Sequence, residues 1–470
     1  MSNTVDVVQN GVANIINSGR ELPEPELSLR SSAQEQSQHS IQLRGPIASL
    51  PPEVLIAVFR ACPSNPWEHG EHAMCVSQVS HHWRDIAINT PSLWSSIRIH
   101  IRGAGSGQLR LMELFIERSR TSPLDIVIDL TRPWNHRDYI SSPFIPLDMI
   151  LLLVPLWRSL SISGNISEDV VNVCTCLGNL HAPLLESFEV VIEADVDDRH
   201  RFDAHFPIFE GGAPKLRHVK VQGIPLTSCQ PPLSSLFSLH LYISPEPMEI
   251  VRYCGALTAS QCLSDLHLVG DVVEDMLVDH TLPGSPLISA MSLRSLKISA
   301  VEASALYNLL MSLESPALEC LTIVCFPRMA HIPALAEVLR HTDKYPLLKS
   351  LSLQSADFNQ PGTIGIVSNL PSVTFVSIRS CNSPATLLHL LLRDPPHSAG
   401  AVNWPLLQIV AISPVGSEEL DALDNVIQNR ISCGFPITCV QFDPHAFRTI
   451  PSKRLQWTQE RVRVEIRRPQ

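Results

Sequence analysis

The sequence has 470 residues, of which 44% are hydrophobic and 17% charged, and its formal net charge is −11 at pH 7. This length and composition predict a large buried core, arranged as two to three domains or as one long array of repeats. The acidic balance argues against nucleic-acid binding, because a phosphate backbone is held by clustered Lys and Arg side chains.

We expect neither export nor a membrane anchor. The first residues lack the basic start and apolar run of a signal peptide. The longest apolar run, Met149 to Val154, is far shorter than the ~20 residues of a membrane-spanning helix. The 12 cysteines include no CxxC pair, which argues against structural zinc and predicts reduced thiols in the cytoplasm, the nucleus or both.

Two helices are predicted near the start of the ordered chain. Residues 1–44 are rich in Ser, Gln, Glu and Pro without any aromatic residue, so we expect them to be disordered. A first helix follows Ser49 and Pro51, with its apolar stripe at Val54, Leu55, Val58 and Phe59. A second helix is predicted from about Glu71 to Asn89, with Val76, Val79, Trp83 and Ile86 on one face.

A three-residue apolar pattern recurs through the rest of the chain, in which the second residue follows the first by three positions and the third follows by two more. It occurs at Trp157/Leu160/Ile162, Leu185/Phe188/Val190, Leu216/Val219/Val221, Leu236/Leu239/Leu241, Leu263/Leu266/Leu268, Leu293/Leu296/Ile298, Leu318/Leu321/Ile323, Leu348/Leu351/Leu353, Val373/Val376/Ile378 and Leu407/Val410/Ile412. Successive middle residues lie between 20 positions (Val219 to Leu239) and 34 positions (Val376 to Val410) apart. This spacing is close to that of leucine-rich repeats, which run about 20–29 residues.

The pattern predicts an α/β fold in which strands alternate with helices. Apolar residues two apart form a strand, and segments such as Ser304 to Glu314 and Ile332 to Thr342 have helical spacing. Repeated strand and helix units predict a solenoid with a curved parallel sheet over residues 96–470. We expect earlier, irregular strands in "SLWSSIRIHI" and "PLDIVIDL", and a charged edge strand at Arg461 to Arg467.

No residue set predicts catalysis or a cofactor. The Gly-rich segment Arg102 to Arg110 lacks the third glycine of a dinucleotide fingerprint and the Lys-Ser/Thr of a P-loop, which favours a flexible connection over a phosphate cradle. His81, His82 and His100 have no acid or cysteine at ligand spacing. A doubly wound α/β enzyme, the competing interpretation, would need a Gly-rich turn or catalytic groups at strand ends.

A polar row is predicted on the outward face of the sheet, because the residue after each middle apolar residue points away from the core. The centre of this row is Lys220, His240, His267 and Lys297, flanked by His218, Tyr242 and Asp265. Four basic or titratable residues in adjacent repeats suggest a docking surface for an acidic or phosphorylated protein segment. The alternative is an ordinary solvated face.

The segment "IASLPPEVLIAVF…VSQVSHHWRDIAINTPSLWSSI" resembles the F-box, and the repeats resemble the leucine-rich-repeat part of F-box proteins. Leu50-Pro51, Glu53, Leu55, Val79, Trp83 and Leu93-Trp94 match the family pattern. The sequence departs from it at Ser80, where the family often has Cys, and in the longer connection from Cys62 to Ala73.

This resemblance implies an F-box-like helical domain at residues 45–95 that docks a Skp adaptor, and through it a cullin, while the repeats capture a protein substrate. The protein would then be a non-catalytic receptor subunit of a ubiquitin ligase in ubiquitin-dependent degradation. The expected adaptor contacts are Leu50, Pro51, Glu53, Leu55, Val58, Val79 and Trp83. The alternative is a ligase-independent repeat scaffold whose helices cap the array.

Overall fold

The computed structural model describes fourteen ranges of the chain, which are residues 47, 50–61, 69–100, 106–131, 144–165, 167–193, 206–226, 228–243, 250–270, 288–299, 302–325, 330–341, 344–392 and 403–467. The predicted disordered segment 1–44 lies outside these residues, as do positions 62–68 and 101–105. The chain divides into two compact units, Met1–Val58 and Phe59–Gln470. The predicted domain boundaries at residues 45 and 95 stay predictions.

The N-terminal region contains helices α1 (Pro52–Ala61), α2 (His69–Val79) and α3 (His81–Ile88). The prediction of one continuous helix from about Glu71 to Asn89 was wrong. Ser80 is extended, with φ −159° and ψ 166°, and its side chain accepts a hydrogen bond from the Trp83 amide. A serine in this role caps the start of a new helix, so the chain ends α2 and begins α3 at this residue.

In the part of the chain that the structure describes, fourteen strands form one parallel sheet. These strands are β1 (Ser96–His100), β2 (Leu124–Leu130), β3 (Trp157–Gly164), β4 (Ser187–Ile192), β6 (His218–Gln222), β8 (Ser238–Tyr242), β9 (Asp265–Val269), β11 (Ser295–Ser299), β13 (Cys320–Val324), β14 (Ser350–Gln354), β15 (Phe375–Arg379), β16 (Ile409–Ser413), β17 (Cys439–Phe442) and β18 (Arg463–Ile466). The two remaining described pairs are short, β5 (Phe206–Pro207) with β7 (Cys229–Gln230) and β10 (Ile288–Ser289) with β12 (Leu313–Glu314). The order of strands in the large sheet follows the order of the chain, and every pair is parallel.

The recurring apolar pattern marks the core of this sheet. All three apolar positions in each of the ten triplets are 3% exposed or less. The middle residues pair directly across neighbouring strands, as in Leu239 with Leu266 and Leu266 with Leu296. Because each triplet repeats the same burial in the same register, the pattern specifies both which face is buried and how the strands align.

The remaining described helices, each of them in the connections around the sheet, are α4 (Ser106–Ser119), α5 (Phe144–Leu151), α6 (Ser167–Thr175), α7 (Ile250–Ala259), α8 (Ala303–Ser312), α9 (His331–Leu339), α10 (Thr363–Ser368), α11 (Pro384–His389), α12 (Ser417–Ser432), α13 (Pro444–Thr449) and α14 (Ser452–Gln459). The predicted helices at 304–314 and 332–342 are α8 and α9. Among the described residues between β4 and β8, no helix occurs. In the described ranges, a helix therefore accompanies many strands of the sheet but not all of them.

The sheet ends at β1 and at β18, each of which pairs with a single strand. The predicted early strands are confirmed as β1 and β2, and the predicted charged edge strand is confirmed as β18. Arg463 and Glu465 lie on this edge strand and form an ion pair with an N–O distance of 3.0 Å. Charged residues at a sheet edge hinder pairing with another chain. The mixed α/β class and the parallel sheet are confirmed, and the curvature of the sheet stays a prediction.

Trp94 packs between α3 and α4, the helix that follows β1. Its side chain is buried, and its Nε1 donates a hydrogen bond to the Ala87 carbonyl at 2.8 Å. Its ring meets the Phe115 ring edge-on at a centroid distance of 5.2 Å, and the Arg118 guanidinium lies 4.3 Å from its centre. Phe115 and Arg118 belong to α4, so α3 and α4 share one core around Trp94.

Candidate functional site

The first candidate surface is the opening helix α1, whose apolar stripe is divided between buried and exposed positions. Leu55 and Phe59 are each 1% exposed, whereas Val54 and Val58 are 43% and 46% exposed. Pro51 and Glu53 are also exposed, and Leu50 is half-buried. Of the adaptor contacts predicted on this segment, Pro51, Glu53 and Val58 are accessible as they stand, and Leu55 belongs to the core.

The two predicted contacts beyond α1 also differ in exposure. Val79, the last residue of α2, is 60% exposed. Trp83 in α3 is half-buried and stacks at a tilt on Phe59, with 4.8 Å between the ring centroids. Trp83 therefore supports the helical packing of this region, while Val79 offers an apolar surface.

The second candidate surface is the outward face of the sheet, where the predicted row is in perfect register. Glu189 pairs with Lys220, Lys220 with His240, His240 with His267 and His267 with Lys297. These side chains belong to neighbouring strands about 4.8 Å apart, so each can reach the next. We call Lys220, His240, His267 and Lys297 the central polar row.

Lys220 is neutralised by Glu189, which lies opposite it on the neighbouring strand β4. Its Nζ lies 2.6 Å from Glu189 Oε1, and both side chains are partly exposed. The same ammonium group lies 5.5 Å from the centre of the Tyr242 ring. Burial raises the pKa of Tyr242. Lys220 therefore contributes a paired charge to the surface rather than a free one.

His240 and Asp265 form a hydrogen-bonded pair on adjacent strands. His240 Nε2 lies 2.9 Å from Asp265 Oδ2, and the Ser238 hydroxyl donates to the same oxygen at 3.1 Å. The hydrogen bond from His240 holds the pKa of Asp265 below its usual value. A charged Asp265 offsets any positive charge that His240 carries.

His267 is the most enclosed member of the row. It is 9% exposed, and its Nδ1 shares a hydrogen bond of 3.0 Å with the Tyr242 hydroxyl. Its Nε2 is buried and has no hydrogen-bond partner among the described residues. Burial, then the charges of Lys297 and His240, lower the pKa of His267 to about 4, so the ring is neutral at pH 7.

Lys297 is the row's uncompensated cation among the described residues, since none of their carboxylates lies within ion-pairing distance of it.

His218 is exposed beside this row and meets the Phe237 ring edge-on at 6.2 Å. The structure thus brings all six predicted residues to one face. It makes this face a hydrogen-bonded polar surface with one free ammonium group, because Glu189 and Asp265 balance the rest. Glu189 can be found from the sequence, because it follows Phe188, the middle residue of its triplet, and so lies in line with Lys220.

The described residues hold no cluster of three or more His, Cys, Asp or Glu side chains that could bind a metal ion. In the same ranges, no helix has both the length and the apolar character to cross a bilayer. Burial raises the pKa of the Cys174 and Cys229 thiols, and of Cys229 to about 12. A thiol with a raised pKa is protonated at neutral pH and is a poor nucleophile.

Comparison with protein families finds one match. Residues 47–100 match the family model described as F-box-like. This range contains α1, α2, α3 and β1, and it extends five residues beyond the predicted end at residue 95. A search of curated proteins found no relative of the chain.

Proposed function

We propose that this protein is the substrate-recognition subunit of a Skp–cullin–F-box type ubiquitin ligase. The F-box-like match at residues 47–100 carries the proposal, because domains of this kind dock Skp adaptors. The ubiquitin chemistry would then belong to other subunits, and this chain would bring the target protein to them. The chain would act in the cytoplasm, the nucleus or both.

Exposed apolar side chains within the matched range support adaptor docking. Val54 and Val58 on α1, and separately Val79 at the end of α2, are large aliphatic residues that remain between 43% and 60% exposed. Burying the exposed half of such a side chain against a partner contributes on the order of 1 kcal/mol each. Leu55 stands at a contact position of the family pattern. It is buried in this chain, so we assign it to the stability of α1 instead.

The parallel sheet supports the proposal that residues 96–470 form a leucine-rich-repeat solenoid. Its strands follow one another in chain order, and one triplet of buried residues recurs in ten of them. A tight turn precedes the strand in many units, as where the amide of Leu263 bonds the carbonyl of Ser260 and that of Leu293 bonds Ala290. Stacked units of this kind form a curved array with a concave surface.

We further propose that the target protein binds on the outward face of the sheet, over the central polar row. The surface offers several hydrogen-bonding groups and one free ammonium group at Lys297. A captured segment would place an acidic side chain near Lys297, where no described carboxylate competes for it. Lys220 would contribute less to binding an acidic side chain, because Glu189 already compensates its positive charge.

A pull-down of purified Skp adaptor by the full chain tests the adaptor role. We expect the wild-type chain to retain the adaptor and the variant Val58→Asp to lose it, because an exposed Asp keeps the fold but introduces a charge into an apolar interface. Leu152→Asp is the matched control, since Leu152 is 83% exposed and lies outside the matched range. Equal retention by Val58→Asp and the wild type would show that α1 does not bind the adaptor.

A second candidate function is a repeat scaffold without a ligase. The packing of Trp94 against Phe115 and Arg118 favours it, because this contact joins the matched range to α4 as a cap would. A scaffold would not bind the adaptor in the pull-down, although it would still use the outward face of the sheet.

A further inference from the structure

A cleft of about 210 Å³ lies on the outward face of the sheet over its last strands. Its lining includes Ser377, Arg379, Ala411, Ser413, Gln441 and Arg467. Ser377, Ala411 and Gln441 pair across neighbouring strands in the same row as the central polar row, while Arg379 pairs with Ser413 two residues further along. The cleft is therefore separate from the central polar row, with Thr322 and Ser352 between them in the row.

Arg467 is held over the cleft by contacts at both ends. Its amide continues the ladder of β18 by donating to the Phe442 carbonyl at 2.8 Å. Its guanidinium donates to Ser377 Oγ at 2.9 Å and lies 5.5 Å from the centre of the Phe375 ring. Ala411 lies between these strands and has only a methyl group, which leaves room beneath the guanidinium.

The cleft brings two like charges together. The pKa of Arg467 is lowered first by burial and then by the positive charge of Arg379. Asp443 also lines the cleft, but its carboxylate accepts hydrogen bonds from the Ser413 hydroxyl and from the amides of His445 and Ala446 at the start of α13. Among the described residues, no carboxylate forms an ion pair with either guanidinium.

Three other arginines along this sheet are paired with carboxylates. Arg98 bonds Asp129 at 3.0 Å, Arg158 bonds Asp125, and Arg294 bonds Glu319 at 2.9 Å, each across neighbouring strands. At these three positions a carboxylate compensates the arginine, whereas Arg379 and Arg467 have none within ion-pairing distance among the described residues. Two adjacent arginines that lack one, beside hydroxyl and amide groups in a cleft, have the character of an anion site.

We propose that this cleft binds a phosphomonoester dianion. Two guanidinium groups offer forked donors that match phosphate oxygens, and a dianion compensates both charges where a single carboxylate would compensate one. The Gln441 amide already donates to Glu465 Oε2 at 2.9 Å, so the two guanidinium groups supply the donors for the ligand. Two sources carry this group, a phosphorylated serine in a protein segment and a small phosphorylated molecule. The site does not depend on the adaptor-binding function.

Titration calorimetry of the full chain at constant ionic strength tests the site with three probes: inorganic phosphate, a blocked Gly-phosphoserine-Gly peptide and the same peptide without phosphate. We expect saturable binding of both phosphorylated probes and none of the third. Peptide binding at least about tenfold tighter than that of phosphate identifies a protein segment as the source, whereas equal affinities identify a small molecule.

Three variants locate the binding. Arg379→Gln should weaken phosphate affinity by about tenfold or more, because each charge-assisted hydrogen bond contributes strongly. The Arg379 side chain makes no hydrogen bond or ion pair with described residues, so its loss should not disturb folding, whereas Arg467→Gln also breaks the bond to Ser377. Arg294→Gln is the matched control and should bind as the wild type does. Absence of phosphate binding by the folded wild-type chain, or unchanged affinity in Arg379→Gln, would overturn the proposal.

Discussion

His267 shows how the central polar row differs from a simple basic surface. Its ring is enclosed by Tyr242 on β8, by His240 and Asp265 beside it, and by the ammonium groups of Lys220 and Lys297. Positive neighbours and burial both disfavour a proton on the ring. His267 is therefore neutral at pH 7 and Lys220 is paired with Glu189, which leaves Lys297 as the position where an acidic ligand gains most.

Stability should fall as the pH falls from about 6.5 to about 4 because of His267. The folded pKa of about 4 lies below the ordinary value of 6.5, so the unfolded chain takes up the proton first in this window. The loss is on the order of 3 kcal/mol at its greatest. Denaturant unfolding at pH 7 and pH 4.5 should show a smaller decrease for His267→Gln than for the wild type. The same decrease in both chains would show that His267 does not titrate as argued.

Lys297 should be the lysine of this row that contributes most to substrate capture. Lys297→Glu removes the free ammonium group, while Lys220 is already paired with Glu189 at 2.6 Å. Proteins that co-purify with the full chain can be compared by quantitative mass spectrometry, with Lys453→Glu at an exposed position of α14 as the matched control. We expect Lys297→Glu to lose specific partners and the control to keep them. Retention of all partners by Lys297→Glu would contradict the proposal that the target protein binds over the central polar row.

At the scale of elements, the sequence predicts the strands well and the junctions poorly. The triplet pattern identifies ten strands, their buried face and their register, because each position repeats the same physical requirement. The break at Ser80 was missed, since the apolar spacing from Val76 to Ile86 continues across it. The Arg467 contact with Ser377, 90 residues apart in sequence, has no local signal at all. The position of Arg467 beside Arg379 can be recognised only when β15 and β18 are known to belong to one sheet.

The Ser80 side chain should determine how firmly α3 begins. Ser80→Ala removes the acceptor for the Trp83 amide and should weaken the start of α3 by about 1 kcal/mol. Hydrogen exchange of the Trp83 amide measures this locally, and we expect it to be about fivefold faster. Ser80→Asn restores a capping oxygen and should return exchange towards the wild-type rate. An unchanged rate in Ser80→Ala would show that the cap contributes nothing.

At the scale of the whole molecule, the main sheet is built from neighbours in sequence. Each strand of the large sheet pairs with the strands next to it in chain order, so stability is distributed along the array. Deletion of residues 46–92 removes α1, α2 and α3 and with them the hydrogen bond from Trp94 to Ala87, while Trp94 keeps its contacts with Phe115 and Arg118. We therefore expect residues 93–470 to retain cooperative thermal unfolding. Loss of cooperative unfolding, followed by circular dichroism, would favour the capped scaffold.

The affinity of the full chain for purified Skp adaptor tests the central claim most directly. We predict saturable binding that the double change Leu50→Ala and Pro51→Ala weakens at least ~30-fold, which corresponds to a loss of ~2–4 kcal/mol from a central interface position. The control Leu152→Asp should bind as tightly as the wild type. No binding by the folded wild-type chain, or equal affinity in the double variant, would contradict the account and leave a repeat protein whose helices serve its own fold.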